Sequence, residues 1–251
     1  MAEPLFLDTA SGRRIAYHQT AGLGQGVMFL GGFKSDMGGT KAMFLQGWAE
    51  RNERAFIRFD YSGHGVSSGR FEDGCIGDWA EDAAAVLADI ADGPQILVGS
   101  SMGGWISAIL MREMAEKVAG FVGIAAAPDF TEDSMWPAFT ARQRAELHET
   151  GRILLPSDYG EPYVITKRLI EDGRNNLVLR APLRASFPVR LLQGTEDAEV
   201  DRSLALRLLD HVQGDDVRLT FVKGADHSFS TPECLALVTA SIEQLQGRND
   251  G

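Results

Sequence analysis

Short apolar runs rich in β-branched and aromatic residues alternate with amphipathic stretches along most of the chain. Gly26-Val-Met-Phe-Leu-Gly-Gly-Phe33, Ala55-Phe-Ile-Arg-Phe-Asp60, Gln95-Ile-Leu-Val98, Gly120-Phe-Val-Gly-Ile-Ala-Ala-Ala127, Val189-Arg-Leu-Leu192 and Val217-Arg-Leu-Thr-Phe-Val222 read as strands. Between them, residues 43–52, 78–92, 105–111, 204–212 and 232–245 read as helices. In 78–92, for example, Trp79, Ala83, Val86, Leu87 and Ile90 share one face. At the start, Leu5-Phe-Leu7 and Arg14-Ile-Ala-Tyr-His18 flank Ser11-Gly12 as a hairpin. Strands separated by helices predict an α/β fold: a mostly parallel sheet with right-handed crossovers and helices on both faces.

The alternation breaks between Pro128 and Phe187. Helices over 139–150 and 164–172 are expected there, with a hairpin between Arg152-Ile-Leu-Leu155 and Tyr163-Val-Ile165 around Pro156-Ser-Asp-Tyr-Gly160. A connection of roughly sixty residues far exceeds the usual two to six, and Trp136, Phe139, Leu154, Tyr159 and Tyr163 make it too apolar for disorder. Residues 128–187 are therefore expected to form a cap over the sheet's carboxyl edge, inserted in a single domain spanning 1–251. Trp136 and Phe139 are expected to line a substrate pocket beneath it.

Candidate chemistry collects at three loops that follow strands. Gly99-Ser-Ser-Met-Gly103 matches G-x-S-x-G, a sharp strand-to-helix corner that exposes a serine hydroxyl. Only Ser101 has glycines two residues to either side; around Ser100 the same places hold Val98 and Met102. A serine needs a base to take its proton and a third group to orient that base. His227 follows the last strand, and Asp197 follows the strand ending at Gly194, so both reach the edge where the corner presents Ser101. His64 precedes the nucleophile in a glycine-rich turn, and His148 and His211 fall in predicted helices, while His18 sits at the hairpin edge. Glu196, Asp201 and Asp226 compete with Asp197 for the acid; Asp197 is preferred because it stands three residues beyond Gly194. Two backbone amides are expected to face a developing oxyanion, that of Met102 after the nucleophile and that of Phe33 in the Gly31-Gly32-Phe33 loop. Lys34, Ser35 and Asp36 start and solubilise the next helix.

Composition narrows the partners. With 251 residues and 44% hydrophobic content the chain can bury a sizeable core. Lys+Arg 24 against Asp+Glu 35 gives −11, which argues against nucleic acid or an anionic membrane surface. No segment approaches 18 uncharged apolar residues. Cys75 and Cys234 lack metal or disulfide spacing and read as reduced thiols. The opening residues resemble neither a signal nor a transit peptide, and a cytoplasmic location is expected.

The Ser101 corner, Arg58-Phe-Asp-Tyr-Ser-Gly-His-Gly65, Gly32-Phe-Lys-Ser-Asp-Met37 with Gly39-Thr-Lys-Ala42, and the Asp197 and His227 loops together resemble the α/β-hydrolase superfamily. Asp92-Gly-Pro-Gln-Ile-Leu-Val-Gly-Ser-Ser101 with Gly103-Gly-Trp105 is similar, within it, to the acyl-protein thioesterase subfamily of animal mitochondria, whose members remove S-palmitoyl groups and hydrolyse acyl-glucuronide esters. This resemblance implies an eight-stranded sheet, Ser101, Asp197 and His227 as nucleophile, acid and base, an acylated or other small-molecule substrate, and no cofactor or metal. Gln193 departs from it, standing where many relatives have histidine. The expected activity is hydrolysis of esters or thioesters, in a bacterial-type relative. A peptidase or carbon–carbon hydrolase on the same triad, or a non-enzymatic ligand receptor, are the alternatives.

Overall fold

Strand side chains point alternately to opposite faces, and here each face meets its own layer of helices. The computed structural model describes residues 3–156 and 162–246. In chain order they form β1 (Leu5–Asp8), β2 (Arg14–Thr20), β3 (Leu23–Leu30), α1 (Thr40–Arg51), β4 (Arg54–Phe59), α2 (Ile76–Asp89), β5 (Gln95–Ser100), α3 (Met102–Glu113) and β6 (Val118–Ile124). There follow a π-helical turn (Thr131–Met135), α4 (Trp136–Ala138), α5 (Ala141–Thr150), β7 (Arg152–Leu155), β8 (Tyr163–Thr166), α6 (Lys167–Asn175) and β9 (Leu183–Arg184). The chain then completes the sheet with β10 (Val189–Gly194), α7 (Arg202–His211), β11 (Val212–Gln213), β12 (Val217–Val222) and α8 (Pro232–Gln246).

The sheet has eight strands in the order β1-β2-β4-β3-β5-β6-β10-β12. β2 is antiparallel to both neighbours, and the pairs from β4 to β12 are parallel. Val27, Phe29, Ile96, Val98, Val122, Ile124 and Leu192 pack against α1 and α8, through Leu45, Trp48, Val238 and Ile242. Met28, Leu30, Leu97 and Leu191 point the other way, towards Trp79 and Val86 of α2, Trp105 and Ile109 of α3 and Leu208 of α7. The predicted α/β sheet with helices on both faces is the observed one.

Between β6 and β10 the chain makes an excursion over the α2–α3 side. Gly77 N–H donates to Asp172 Oδ2 (2.7 Å), Trp105 Nε1 to the carbonyl of Asn176 (3.0 Å), and Arg168 pairs with Asp78 (2.7 Å). The two ends of the excursion meet at Asp129, fully buried and at φ 58°. Its carboxylate accepts the amides of Val178 (2.8 Å) and Leu179 (3.0 Å) and pairs with Arg180 (3.2 Å).

Two expected boundaries shift within this segment. α6 begins at Lys167 rather than at 164, because β-branched Val164 and Ile165 pair in β8 and Thr166 caps the helix by accepting the amide of Leu169. α5 begins after Thr140, which forms a reciprocal capping box with Gln143 and leaves Phe139 in extended backbone. Tyr159 and the predicted turn around it lie outside the described residues.

Candidate active site

The corner between β5 and α3 is tighter than ordinary side chains allow. Ser101 has φ 54° and ψ −117°, a sparsely populated conformation that costs on the order of 1–3 kcal/mol for a non-glycine residue. Its amide donates to Ile124 (2.9 Å) and its carbonyl accepts from Gly104 (2.9 Å) and Ala127 (3.0 Å), so β6 and α3 together impose the geometry. A Cβ at Gly103 would lie 2.1 Å from the carbonyl oxygen of Leu30, and one at Gly99 2.4 Å from that of Gly103. Both positions therefore require glycine. Ser100 ends β5 opposite Ile124 and is 5% exposed.

His227 and Asp197 come together from the loops after β12 and β10. Nδ1 of His227 lies 2.9 Å from Asp197 Oδ2 and 3.1 Å from Oδ1. The Asp197 carboxylate also accepts from Gln193 Nε2 (2.9 Å) and from the amides of Glu199 and Val200 (2.9 Å each), and its side chain is 1% exposed. Burial pushes its pKa up; the His227 bond and the two amides more than offset this and hold it below the usual carboxylate value. An ionised acceptor at Nδ1 assigns the ring proton to that nitrogen and leaves Nε2 as the basic one. Nε2 stands 3.5 Å from Glu199 Oε2, a neighbour the sequence reading missed although it follows Asp197 by only two residues. Lys41 of α1 donates to the carbonyl of Ser228 beside His227 (2.5 Å), and burial lowers its pKa. Gln193 had stood out only as a departure. It holds Asp197 through Nε2, while its buried Oε1 has no partner among the described residues.

The loop after β3 lies against the serine: a Cβ on Gly32 would be 3.5 Å from Ser101 Cβ. Among the described residues the amides of Phe33 and Met102 have no protein acceptor, the condition a donor aimed at an oxyanion must meet. The Phe33 ring packs edge-on against Phe71 (4.9 Å) and Phe130 (5.7 Å) and tilted against Tyr163 (5.8 Å). The loop that carries this amide thus touches both the sheet domain and the excursion.

Ser101, His227, Phe33 and Glu199 all open onto one cavity of about 1260 Å³. The excursion contributes Phe130, Met135, Leu155, Tyr163 and Ile165 to its wall. Trp136 and Phe139, expected there, do not line it among the described residues. Phe139 is 5% exposed within the main core, and the Trp136 ring stacks with the guanidinium groups of Arg144 (5.2 Å) and Arg174 (4.7 Å). Trp136 presents its face to these two cations. The cavity lining also includes the polar residues Lys41, Glu199, Asp201, Ser203, Arg207 and Ser228. Among the described residues no group of three or more His, Cys, Asp or Glu is placed to hold a metal ion, and no helix is long and apolar enough to cross a membrane.

Sheet order and corner together define the class, and comparison with known proteins agrees: the chain belongs to the alpha/beta hydrolase family, whose model matches residues 29–235. It is similar to the mitochondrial palmitoyl-protein thioesterase ABHD10 of Rattus norvegicus, 34% identical over 233 residues that cover 92% of this chain and 78% of that one. Among solved structures, a putative hydrolase from Agrobacterium vitis S4 superposes with a TM-score of 0.92 at 40% identity, covering 97% of this chain and 98% of that one. Alpha/beta hydrolase domain-containing protein 10 from mouse superposes at 0.89 with 33% identity, covering 97% and 98%. The expected cytoplasmic location is corrected by these comparisons, since the curated relatives are named as mitochondrial proteins.

Proposed function

We propose that the protein is a serine hydrolase that cleaves carboxylic thioesters or esters through an acyl-enzyme intermediate. His227 Nε2 takes the proton of Ser101 as Oγ attacks the substrate carbonyl, and the Phe33 and Met102 amides receive the oxyanion. Collapse breaks the bond to the leaving thiol or alcohol, which departs with the proton held by His227. Water then attacks the acyl-enzyme with the same base, releasing a carboxylic acid and restoring Ser101. The observation that carries this reading is the strained Ser101 corner opening, with the Asp197-bonded His227, onto a single cavity.

The mixed lining of the cavity supports an acylated substrate. Phe33, Phe130, Met135, Leu155, Tyr163 and Ile165 suit an acyl chain, and Lys41, Glu199, Ser203 and Arg207 suit a polar leaving group. The relative's name, a palmitoyl-protein thioesterase, supports a long chain. In this reading the excursion within 128–187 is a cap that selects the acyl group. Each methylene buried is worth about 0.8 kcal/mol, so kcat/KM is expected to rise by up to about 15-fold for every two added carbons until the apolar lining is filled. The experiment measures turnover of acyl thioesters and p-nitrophenyl esters across chain lengths, with Ser101→Ala and Ser100→Ala and with fluorophosphonate labelling. Labelling and turnover lost only in Ser101→Ala support the mechanism; turnover retained in that variant overturns it, and a preference for acetate overturns the long-chain assignment.

A further inference from the structure

The turn after β4 holds a buried histidine that the reaction above does not use. His64 is 4% exposed, and both ring nitrogens are committed: Nδ1 lies 3.1 Å from the carbonyl of Ser62, and Nε2 lies 3.2 Å from the backbone nitrogen of Lys34. A carbonyl can only accept and an amide can only donate, so the ring carries its proton on Nδ1 and Nε2 accepts from Lys34. Lys34 directly follows Phe33 and sits at φ 58°, a conformation a lysine does not adopt without being held.

We propose that His64 is a positioning residue for the oxyanion loop, pinning the Lys34 peptide so that the neighbouring Phe33 amide is aimed at the oxyanion above Ser101. This rests on the acyl-transfer reading and adds to it the group that sets one donor's direction. Residues 60–64 tether the loop at three points. Tyr61 donates its hydroxyl to the Gly31 carbonyl (3.4 Å), His64 accepts from Lys34, and Asp60 Oδ1 accepts from Met37 (2.6 Å). The outer two hold the ends of the loop, and His64 holds the peptide next to the donor. The imidazole itself cannot swing, being wedged between the rings of Tyr61 (5.5 Å), Phe71 (5.2 Å) and Trp79 (5.1 Å). Burial lowers its pKa to about 4, against a smaller upward pull from the Ser62 carbonyl and Asp36, so Nε2 stays an acceptor at neutral pH.

The test compares wild type, His64→Leu and His64→Gln, the last of which keeps an acceptor at the end of its side chain. For each, kcat and KM are measured on one p-nitrophenyl ester, together with inhibition by the trifluoromethyl ketone of the same acyl group, which forms a tetrahedral oxyanion on a reactive serine. Losing a donor outright costs about 10²–10³ in rate, so a misaimed donor should lower kcat about ten- to hundredfold in His64→Leu. KM should stay within about twofold, inhibitor affinity should fall in step with kcat, and His64→Gln should recover most of both. An unchanged kcat and inhibitor affinity in folded His64→Leu, or no recovery in His64→Gln, overturns the proposal. Should His64→Leu fail to fold, nitrogen-15 NMR of histidine-labelled wild type decides: the Nδ1–H tautomer is required, and the Nε2–H tautomer refutes it. Ser101→Ala, run alongside, separates the two readings, because turnover retained there removes the hydrolase assignment itself, whatever His64 does.

Discussion

Replacing glycine by alanine inside a helix normally stabilises it by up to about 1 kcal/mol, and here two helices should answer that change with opposite signs. In α1, a Cβ at Gly47 meets only Nη1 of Arg51, at 3.2 Å. That is the far end of a flexible side chain and can move aside, so Gly47→Ala should gain roughly 0.5–1 kcal/mol. In α3, a Cβ at Gly103 would fall 2.1 Å from the Leu30 oxygen, 2.6 Å from its carbonyl carbon and 2.7 Å from the Gly31 oxygen. All three are backbone atoms, at the end of the strand that leads into the Phe33 loop. Relieving them requires helix and strand to separate by about 1 Å, an overpacking that typically costs about 1–3 kcal/mol and exceeds the propensity gain. The same displacement moves the loop that carries Phe33 off Ser101, and a misplacement of that size can cost about 10²-fold in rate. Gly103→Ala should therefore lose roughly 1–2 kcal/mol in urea denaturation followed by tryptophan fluorescence, yet far more in single-turnover acylation at temperatures where it is fully folded. A Gly103→Ala protein as stable as wild type and within twofold of its acylation rate would refute the reasoning.

Two further outcomes follow from buried groups. Because folding holds the His64 pKa at about 4 against 6.5 for a free histidine, its neutral ring contributes stability fully above pH 6.5, and that contribution disappears as pH falls towards 4. The interval is worth about 3 kcal/mol. The stability advantage of wild type over His64→Gln, measured by urea denaturation, should shrink by up to that amount between those pH values; a constant difference would contradict a buried neutral imidazole. Asp129→Ala leaves the Val178 and Leu179 amides and part of Arg180 without their acceptor, so amide hydrogen exchange should quicken across 130–156 and 162–177 while β5 and β6 stay protected. Uniform loss of protection would show that the excursion does not open on its own.

The parts of the fold legible in the sequence are those where burial imposes a period. β5, β6 and β3 from Gly26 onward are covered on both faces, so they read as continuous apolar runs, and the corner at Ser101 reads clearly because Gly99 and Gly103 have no room for a side chain. Asp197 and His227 were legible for a related reason, since each stands a few residues beyond a strand end. The excursion was not legible in the same way. Its elements are too short for a period to show which way an aromatic ring faces, and Trp136 turns towards Arg144 and Arg174 while Phe130, Met135 and Tyr163 line the cavity. The contacts of His64 and Lys41 were not legible because their partners lie 30 and 187 residues away in the chain.

The Asp129 clasp also bears on how such a protein diversifies. Its carboxylate joins points 49 and 50 residues apart, so everything between leaves and re-enters the sheet domain through one fixed neck. Within the excursion only the exposed turns can lengthen cheaply, since doubling a flexible loop adds about 0.6 kcal/mol of closure entropy, whereas Leu147, Ile153, Ile165 and Leu169 are packed in the main core. Insertions or deletions in those turns can reshape the mouth of the cavity. The strained serine corner and the histidine–aspartate pair need not be rebuilt each time.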